Sequence, residues 1–338
     1  MKKGLIEIDG SKGEGGGQIL RTSLTLSMLY GLPLSLKNIR GRRPKPGLMR
    51  QHLTCVQAAQ AICNAKVTGD SLGSQSLTFT PGEVSPGDFR FDVGSAGSTT
   101  LVFQTIFLPL LNAAKPSSAH FTGGTHNPMA PPLTFLEESF LPLIRQMGAA
   151  VTIDTQRWGF MPAGGGMWSA AITPSTLQPA TLTTRPPLNE SRVTSYISGL
   201  RGDVAQREIQ SYLAHGTTPN TKTAVSHPEA ACAGNLLCHT LDFGNYKACF
   251  STLGQRRLSA ENVAFTLAKE VKNYLAHQAV LCEHMTDQIM LPMLVAGGGC
   301  FSAGKLSLHA TTNRDLIAGL TGKEIKAEVK GTVNLLTL

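Results

Sequence analysis

Charged side chains are scarce in this sequence. Only 15% of its 338 residues are Asp, Glu, Lys or Arg, against about 25% in an average soluble domain. No apolar run reaches the roughly 18 residues that a membrane-spanning helix needs, so we expect no membrane association. The first ten residues reach Glu7 and Asp9 before any apolar stretch forms, and we expect no signal peptide there.

Several familiar motifs are also missing. The seven cysteines are odd in number, widely spaced and without a Cys-x-x-Cys pair. This pattern disfavours a disulfide framework or a zinc knuckle and favours free thiols in a reducing compartment, which predicts a cytoplasmic protein. A Gly-x-Ser-x-Gly elbow and a His-Glu-x-x-His motif are absent too, so a serine hydrolase or a zinc protease of those classes is disfavoured.

Basic residues are concentrated near the start of the chain. The net charge is +8, and residues 1–50 contain ten Lys and Arg against three Asp and Glu. Residues 40–50 hold five bases and no acid, together with Pro44 and Pro46. A solvated loop explains such a cluster, and so does a polyanionic partner such as a nucleotide or a nucleic acid.

Apolar periodicity predicts an α/β fold with internal repeats. The predicted helices span 18–29, 47–65, 99–113, 131–148 and 286–298, and the predicted strands span 5–9, 32–39, 67–70, 76–80, 89–93, 117–123, 149–154 and 305–312. Glycine turns at 13–17 and 94–98 open two blocks with the same element order, and a third copy is expected after residue 277. Residues 185–276 differ in texture and predict a small inserted α/β domain, which leaves 1–184 and 277–338 as the large domain.

Polar segments follow the strand that succeeds the first helix of each predicted copy. They lie at 40–43, 123–126 and 309–313. If the copies pack around a common centre, these segments meet the glycine turns, where α/β proteins commonly bind ligands. His309, at the predicted end of a strand, would reach this cleft, whereas most of the other histidines are expected to be structural or exposed. That second group comprises His52, His120, His215, His227, His239 and His277.

Two glycine clusters have different interpretations. The turn at 13–17 lacks the spacing of a phosphate-binding Walker loop, and a tight structural turn explains it equally well. Its Glu14 would suit an anion site only if a divalent cation lay between carboxylate and phosphate. The cluster at 164–166 predicts a close approach between strand backbones.

Five motifs, in order along nearly the whole chain, resemble the RNA 3′-terminal phosphate cyclases. They are Gly13-Glu14-Gly15-Gly16-Gly17-Gln18-Ile19-Leu20-Arg21, Arg40-x-x-Arg43-x-x-Pro46-Gly47-Leu48, Pro162-Ala163-Gly164-Gly165-Gly166, Thr286-Asp287-Gln288 and His309-Ala310-Thr311-Thr312-Asn313. The resemblance implies three repeats like the C-terminal domain of bacterial initiation factor three, with a smaller inserted domain. The oligomeric state is not fixed by the sequence, and a homodimer is one candidate.

The resemblance also implies a reaction. The family converts an RNA 3′-phosphate to a 2′,3′-cyclic phosphate while ATP becomes AMP and pyrophosphate. Its histidine nucleophile, at the position of His309, takes AMP as a phosphoramidate and passes it to the RNA end. ATP, a divalent metal (Mg²⁺ or Mn²⁺) and RNA with a 3′-terminal phosphate are therefore the expected cofactors and partner.

Residue roles carried over from the family concern the metal, the phosphates and the nucleotide. Glu14 would bind the metal, while Arg21, Arg43 and Gln51 would contact phosphates. Nucleotide contacts are implied for Gln104, Pro131, His284, Met285, Thr286, Asp287 and Gln288. Pro131 would pack on adenine, and Asp287 would touch the nucleotide or orient His309. Many relatives have a stacking tyrosine where this chain has His284, so that adenine contact is less secure.

Two other functions compete with the enzyme. Relatives of the same family serve as catalytically silent ribosome-assembly factors, which lack the nucleophile. The presence of His309 together with Glu14 and Arg43 favours the enzyme over this alternative. A plain RNA-binding protein would account for the basic first 50 residues but not for His309.

Overall fold

The computed structural model describes residues 4–201 and 203–338. Residues 1–3, part of the segment expected not to be a signal peptide, and residue 202, inside the predicted insertion, lie outside these ranges. No helix in the described part of the chain has both the length and the apolar character needed to cross a membrane. All seven cysteines are free, as their spacing predicts.

The first sheet is built from residues 6–80. Its elements are β1 (Ile6–Asp9), α1 (Gly17–Tyr30), β2 (Leu34–Lys37), α2 (Arg50–Cys63), β3 (Lys66–Thr68) and β4 (Leu77–Thr80). The strand order is β1-β2-β4-β3. The β1–β2 pair is parallel, whereas β4 is antiparallel to both β2 and β3. A right-handed crossover helix is the usual connection between two such parallel strands.

The second sheet repeats this arrangement with residues 88–173. Its elements are β5 (Asp88–Asp92), α3 (Thr99–Leu111), β6 (Ser117–Gly123), α4 (Leu133–Phe135), a π-helical segment (Leu136–Phe140), α5 (Leu141–Gln146), β7 (Ala150–Arg157) and β8 (Gly166–Thr173). The order is β5-β6-β8-β7, with β5 and β6 parallel and the other two pairs antiparallel.

A different sheet follows the short strand β9 (Thr181–Leu182). It contains β10 (Glu190–Ser198), α6 (Asp203–Ala214), β11 (Lys222–Ser226), β12 (Gly234–Asp242), β13 (Lys247–Leu253) and α7 (Ala260–Leu275). The strand order is β11-β10-β12-β13. Helices α6 and α7 pack against each other and against these strands.

The last elements return to the first topology. They are α8 (Glu283–Gln288), α9 (Met290–Ala296), β14 (Cys300–Ala303), α10 (Leu308–Thr321), β15 (Lys326–Lys330) and β16 (Val333–Thr337). Strand β14 is parallel to β9 and antiparallel to β16, which pairs with β15. Three of the sheets thus share one strand order and one set of directions, and the predicted α/β class is confirmed.

The predicted strand over 305–312 is wrong. Helix α10 begins at Leu308, so His309 lies in the first turn of a helix and not at the end of a strand. Ser307 is the N-cap residue, and its hydroxyl accepts a hydrogen bond from the Ala310 backbone N–H at 3.1 Å. Five residues of apolar alternation were too few to distinguish a strand from a capped helix start.

The glycine cluster at 164–166 allows close backbone packing, as its sequence predicts. A Cβ atom added to Gly166 would lie 2.6 Å from the backbone nitrogen of Gly159, and one added to Gly164 would lie 2.8 Å from the Cα atom of Ala96. Any side chain at either position would collide with main-chain atoms. The cluster is therefore structural.

Helix α1 positions the functional cleft. It packs against α2, α3 and α10 in the centre of the molecule. The Thr25 hydroxyl donates to the Thr105 carbonyl in α3 at 2.9 Å, and the Thr22 hydroxyl donates to Asn313 Oδ1 in α10 at 2.8 Å. The first of these buried hydrogen bonds holds α1 against α3, and the second joins the N-terminal halves of α1 and α10.

The N-cap of α10 provides a test of the helix start. Ser307→Ala removes the acceptor for the Ala310 N–H, so we expect the first turn of α10 to lose about 0.5–2 kcal/mol. Hydrogen exchange of the Ala310 amide measures this loss directly. Ser307→Asn retains an acceptor and should stay close to wild type. Equal exchange in the Ala variant and wild type would contradict the assigned cap.

Candidate active site

A cleft of about 580 Å³ lies between the three repeated sheets and the sheet formed by β10–β13, which is called the fourth sheet below. One wall comes from α1, α3, α8 and α10, and a loop at 127–132 closes one side. The opposite wall comes from β13, the segment that follows it and α7. Elements far apart in the chain therefore meet around one space.

Eight residues predicted for the site line this cleft. They are Arg21, Arg43, Gln104, Pro131, His284, Asp287, Gln288 and His309. The Glu14 carboxylate forms a salt bridge with Arg43, which is one of these lining residues. Four predicted residues are not part of the cleft lining, namely Glu14, Gln51, Met285 and Thr286.

His309 begins a hydrogen-bonded chain of side chains. Its Nδ1 atom lies 2.7 Å from Gln18 Oε1, and Gln18 Nε2 donates to Asp287 Oδ2 at 2.9 Å. Asn313 supports the far end, because its side-chain nitrogen donates to the Asp287 carbonyl at 2.9 Å. Gln18 thus connects α10 to α8 through α1.

Glu14 is held in the glycine turn by three contacts. Its Oε1 accepts from the Gln18 backbone N–H at 3.1 Å, and its Oε2 forms a 2.7 Å salt bridge with Arg43. Its own backbone N–H donates to the Thr312 hydroxyl at 3.0 Å. The carboxylate is nearly fully buried, and a Cβ atom added to Gly16 would lie only 2.4 Å from it.

The basic segment at 40–50 is not simply a solvated loop. The Arg40 side chain is buried and donates to the carbonyls of Lys45 and Gly47, at 2.6 and 2.8 Å. Arg42 donates to the Gly13 carbonyl, and Arg43 binds Glu14. Arg42 and Arg43 thus attach the loop to the glycine turn, and the Arg43 guanidinium lines the cleft.

Arg21 supplies a second positive charge to the cleft. Burial lowers the pKa of its guanidinium from the ordinary value, and the charges of Glu14 and Asp287 oppose that shift. Within the described residues the guanidinium forms no hydrogen bond or salt bridge. A half-buried guanidinium that lines the cleft with Arg43 and has no pairing partner among the described residues is suited to an anionic ligand such as phosphate.

The His309 imidazole is neutral near pH 7. Partial burial lowers its pKa below 6.5, and the positive charges of Arg21 and Arg43 lower it further, against the opposing charge of Glu14. Burial also raises the pKa of Asp287 to about 7. A neutral imidazole facing two guanidinium groups is an available nucleophile for an electrophilic phosphorus.

The other end of the cleft is less charged. Pro131 and the Gln104–Gln288 pair line it, with Gln104 Nε2 donating to Gln288 Oε1 at 2.5 Å. His284 Nε2 lies 3.0 Å from a carboxylate oxygen of Glu270, which belongs to α7. This contact joins α7, which packs against the fourth sheet, to α8.

Three predicted residues have side chains with other roles. Met285 is fully buried, and the Thr286 hydroxyl donates to the Cys282 carbonyl within α8. Gln51 Oε1 accepts from the Ser98 backbone N–H at 2.9 Å, at the start of α3.

Sequence reasoning missed Gln18 and Glu270 as site residues. Gln18 stands inside the first cyclase-like motif, but its role depends on the approach of α8 and α10. Glu270 lies on an ordinary amphipathic helix, and no local pattern distinguishes it from a solvated acid.

The donor set around Glu14 limits which metal could bind. Within the described residues, no cluster of three or more His, Cys, Asp or Glu side chains could hold a metal ion. Mg²⁺ in phosphate chemistry usually binds one or two carboxylates plus substrate phosphates and water. Glu14 fits that mode, with its Oε2 exchanging Arg43 for the cation, but it does not form a resident metal centre by itself.

Comparison with known proteins gives a consistent result. The family model described as RNA 3′-terminal phosphate cyclase matches residues 12–327. A protein of that name from Ectopseudomonas mendocina is 42% identical over 326 residues, covering 96% of this chain and 95% of its own length. Its namesake from Pseudomonas fluorescens is 43% identical, with 97% and 95% coverage, and that from Ralstonia nicotianae is 44% identical, with 91% and 89% coverage.

Among solved structures, the enolpyruvyl transferase NikO from Streptomyces tendae matches over 50% of this chain and 33% of its own length. The sequence identity is 12% and the TM-score is 0.28. A score this low supports no inference about fold or function.

The His284–Glu270 contact predicts a pH-dependent link across the cleft. The hydrogen bond to Glu270 raises the pKa of His284 above 6.5. The ionic form of the pair therefore persists below that raised pKa and is lost as the pH rises through it. Glu270→Gln should lower the midpoint of His284 in an NMR titration, assigned with His284→Ala.

Glu261→Gln provides a matched control on the same helix. Glu261 pairs with Arg207 and is not part of the cleft lining, so the His284 midpoint should not change. Equal midpoints in wild type and Glu270→Gln would show that the contact does not form in solution.

Proposed function

The chain belongs to the RNA 3′-terminal phosphate cyclase family, and from this premise we propose that it converts RNA 3′-phosphate ends to 2′,3′-cyclic phosphates with ATP. The family match extends over nearly the whole chain, and the relatives of that name align over about nine-tenths or more of their own length. The enzyme would be a ligase that consumes ATP and releases AMP and pyrophosphate.

One observation carries the proposed mechanism: His309 lines the same cleft as the guanidinium groups of Arg21 and Arg43. Its Nδ1 is engaged by Gln18, whereas Nε2 has no hydrogen-bond partner among the described residues. In the first step Nε2 attacks the α-phosphorus of ATP, a P–N bond forms, and the bond to the bridging oxygen breaks to release pyrophosphate.

Two transfers complete the reaction. An oxygen of the RNA 3′-phosphate attacks the histidine-bound phosphorus, and the P–N bond breaks to give an RNA-adenylate. The vicinal 2′-hydroxyl then attacks the RNA phosphorus, loses its proton to solvent, and expels AMP. Adenylation is needed because a phosphate oxygen is a poor leaving group until it is part of an anhydride.

Arg21 and Arg43 would hold the phosphates. Their guanidinium groups suit the bidentate recognition of phosphate oxygens, and such charge-assisted bonds are about twice as strong as neutral ones. Among the described residues the Arg21 guanidinium has no hydrogen bond or salt bridge to give up, and Arg43 would exchange its salt bridge with Glu14 for a phosphate when the cation binds. Gln51 is a further proposed phosphate contact, although its side chain is bonded to the start of α3.

The less charged end of the cleft would hold the adenine and ribose. Pro131 offers an apolar surface, His284 offers a flat ring, and Gln104 and Gln288 offer polar groups for orientation. Asp287 would contact the nucleotide or act on His309. Met285 and Thr286 would contribute through main-chain atoms, because their side chains face the core.

Glu14 would hold a divalent cation, Mg²⁺ or Mn²⁺, together with the ATP phosphates. When bound, such a cation neutralises phosphate charge. Without it, the Glu14 carboxylate would repel the triphosphate, so its location beside Arg43 is consistent with a cation-dependent site.

The division of the chain into domains is part of the proposal. We propose that residues 1–184 and 277–338 form three repeats like the C-terminal domain of bacterial initiation factor three, and that 185–276 is an inserted domain. The shared strand order of three sheets supports the repeats, and the separate fourth sheet supports the insertion. A cytoplasmic location and a homodimer remain predictions.

His309→Ala tests the mechanism. We expect it to abolish covalent labelling by α-³²P-ATP, because the nucleophile is gone, while thermal unfolding stays near wild type. Label on the wild-type protein should be acid-labile and alkali-stable, as a phosphoramidate is. His120→Ala, on the second sheet outside the cleft lining, should label normally.

Normal labelling of His309→Ala would disprove the proposed nucleophile. RNA binding by a wild-type protein that never labels would instead favour the catalytically silent assembly factor.

Glu14→Gln tests the proposed cation. Loss of the charged ligand should raise the Mg²⁺ or Mn²⁺ concentration needed for half-maximal labelling by about tenfold, or about 1.4 kcal/mol. ATP binding without metal should weaken little or improve, because a repulsive charge is removed. Unchanged metal dependence would show that Glu14 is a structural turn residue.

A further inference from the structure

Gln18 occupies the centre of the active-site hydrogen bonds, yet the reaction described above gives it no role. Its side chain is buried at the start of α1, with 7% of the residue exposed. Its two polar atoms contact His309 and Asp287, at 2.7 and 2.9 Å. A buried amide with both ends engaged is fixed in orientation, because a flip would exchange a donor for an acceptor at both contacts.

The Asp287 end determines that orientation. When Asp287 is ionised, above its raised pKa of about 7, its carboxylate only accepts hydrogen bonds and requires the NH₂ group of the Gln18 amide to point toward it. The Gln18 oxygen must then face His309. An amide oxygen also only accepts, so His309 must present an N–H at Nδ1.

We propose that Gln18 is a positioning residue that selects the Nδ1–H tautomer of His309 and so leaves the lone pair on Nε2, the ring nitrogen that has no hydrogen-bond partner among the described residues. The effect of this tautomer on catalysis rests on the proposed function, whereas the hydrogen bonds of Gln18 do not depend on it. Of the described residues, only Gln18 forms a hydrogen bond with the imidazole. In the part of the chain that the structure describes, no other contact competes for control of the tautomer.

The tautomer matters for both halves of the nucleotide transfer. When Nε2 attacks phosphorus with its lone pair, no proton needs to leave the ring, and the hydrogen at Nδ1 stays in place. The adenylated ring is then a cation, which the Gln18 oxygen stabilises through the retained hydrogen bond. When the P–N bond breaks, the electron pair returns to Nε2 and a neutral imidazole leaves, which is a better leaving group than an imidazolate.

The opposite tautomer would be unproductive. With hydrogen on Nε2, the cleft-facing nitrogen has no available lone pair. Neutral imidazole in water already exchanges between the two forms, so the expected effect of Gln18 is a strong bias and not an absolute requirement. The same hydrogen bond also fixes the orientation of the imidazole ring, because a rotation of the ring that moves Nδ1 away from Gln18 breaks the bond.

NMR of the free protein tests this assignment without any turnover. Histidine labelled with ¹⁵N gives distinct shifts for a protonated and an unprotonated ring nitrogen, and His309→Ala assigns the signals. At a pH above the midpoints of both His309 and Asp287, we expect the protonated shift at Nδ1 and the unprotonated shift at Nε2. The opposite assignment, or equal averaged shifts, would overturn the proposal.

Two variants separate tautomer control from packing. Gln18→Met keeps an unbranched side chain of similar length but has no amide, so the two nitrogen shifts should move toward their averaged values. Gln18→Glu restores an acceptor for Nδ1–H and should recover the wild-type shifts. It should also raise the His309 midpoint, because a carboxylate adds to the charge of Glu14 against those of Arg21, Arg43 and His284, with Asp287 nearby.

Gln60→Met provides the matched control. Gln60 is a half-buried glutamine of α2 whose amide donates to the Ala65 carbonyl, and it is not part of the cleft lining. We expect wild-type nitrogen shifts and wild-type labelling. For Gln18→Met we expect at least a tenfold slower single-turnover labelling rate. Gln18→Glu should recover the wild-type tautomer above its raised midpoint and should label slowly below it, because an imidazolium has no lone pair on either nitrogen.

The outcomes distinguish this inference from the proposed function. Failure of wild-type protein to label, with the Nδ1–H tautomer present, would overturn the function and keep the assignment of Gln18. Labelling in wild type with unchanged nitrogen shifts in Gln18→Met would overturn the role of Gln18 and keep the nucleophile.

Discussion

The junction between the first turns of α1 and α10 is the constraint on which the active site depends. The Glu14 N–H donates to the Thr312 hydroxyl, and a Cβ atom added to Gly13 would lie 2.2 Å from that same hydroxyl oxygen. Only glycine therefore permits this approach. The junction brings His309 close to Glu14, Arg21 and Arg43, although the chain supplies them from opposite ends.

Much of the fold follows from local sequence. Helical periodicity and the glycine turns predicted α1, α2 and α3 to within a few residues, and alternation predicted β6 at its observed bounds. The start of α10 was mispredicted because a serine cap followed by Leu308 and His309 resembles a short alternating strand. Local pattern is weakest where one hydrogen bond decides between two structures.

The candidate site was predictable where a motif identifies it and unpredictable where packing creates it. His309, Arg21 and Arg43 lie in the cleft that the cyclase-like motifs imply. The ties of Gln18 to two other helices, and of His284 to Glu270, arise only when distant segments are brought together. A single sequence contains the residue types for such contacts but not their separations.

The short strand β9 has a consequence for how the chain folds. Thr181 pairs with Cys300, so the third of the similar sheets takes its first strand from before the fourth sheet and its second strand from after it. During synthesis, β9 cannot pair with β14 until the whole intervening segment has emerged. Closing a long flexible loop costs more entropy than closing a short one, although the cost rises only logarithmically. We expect early folding of β10–β13 with α6 and α7 to shorten the effective loop and to make the last sheet the slowest to form.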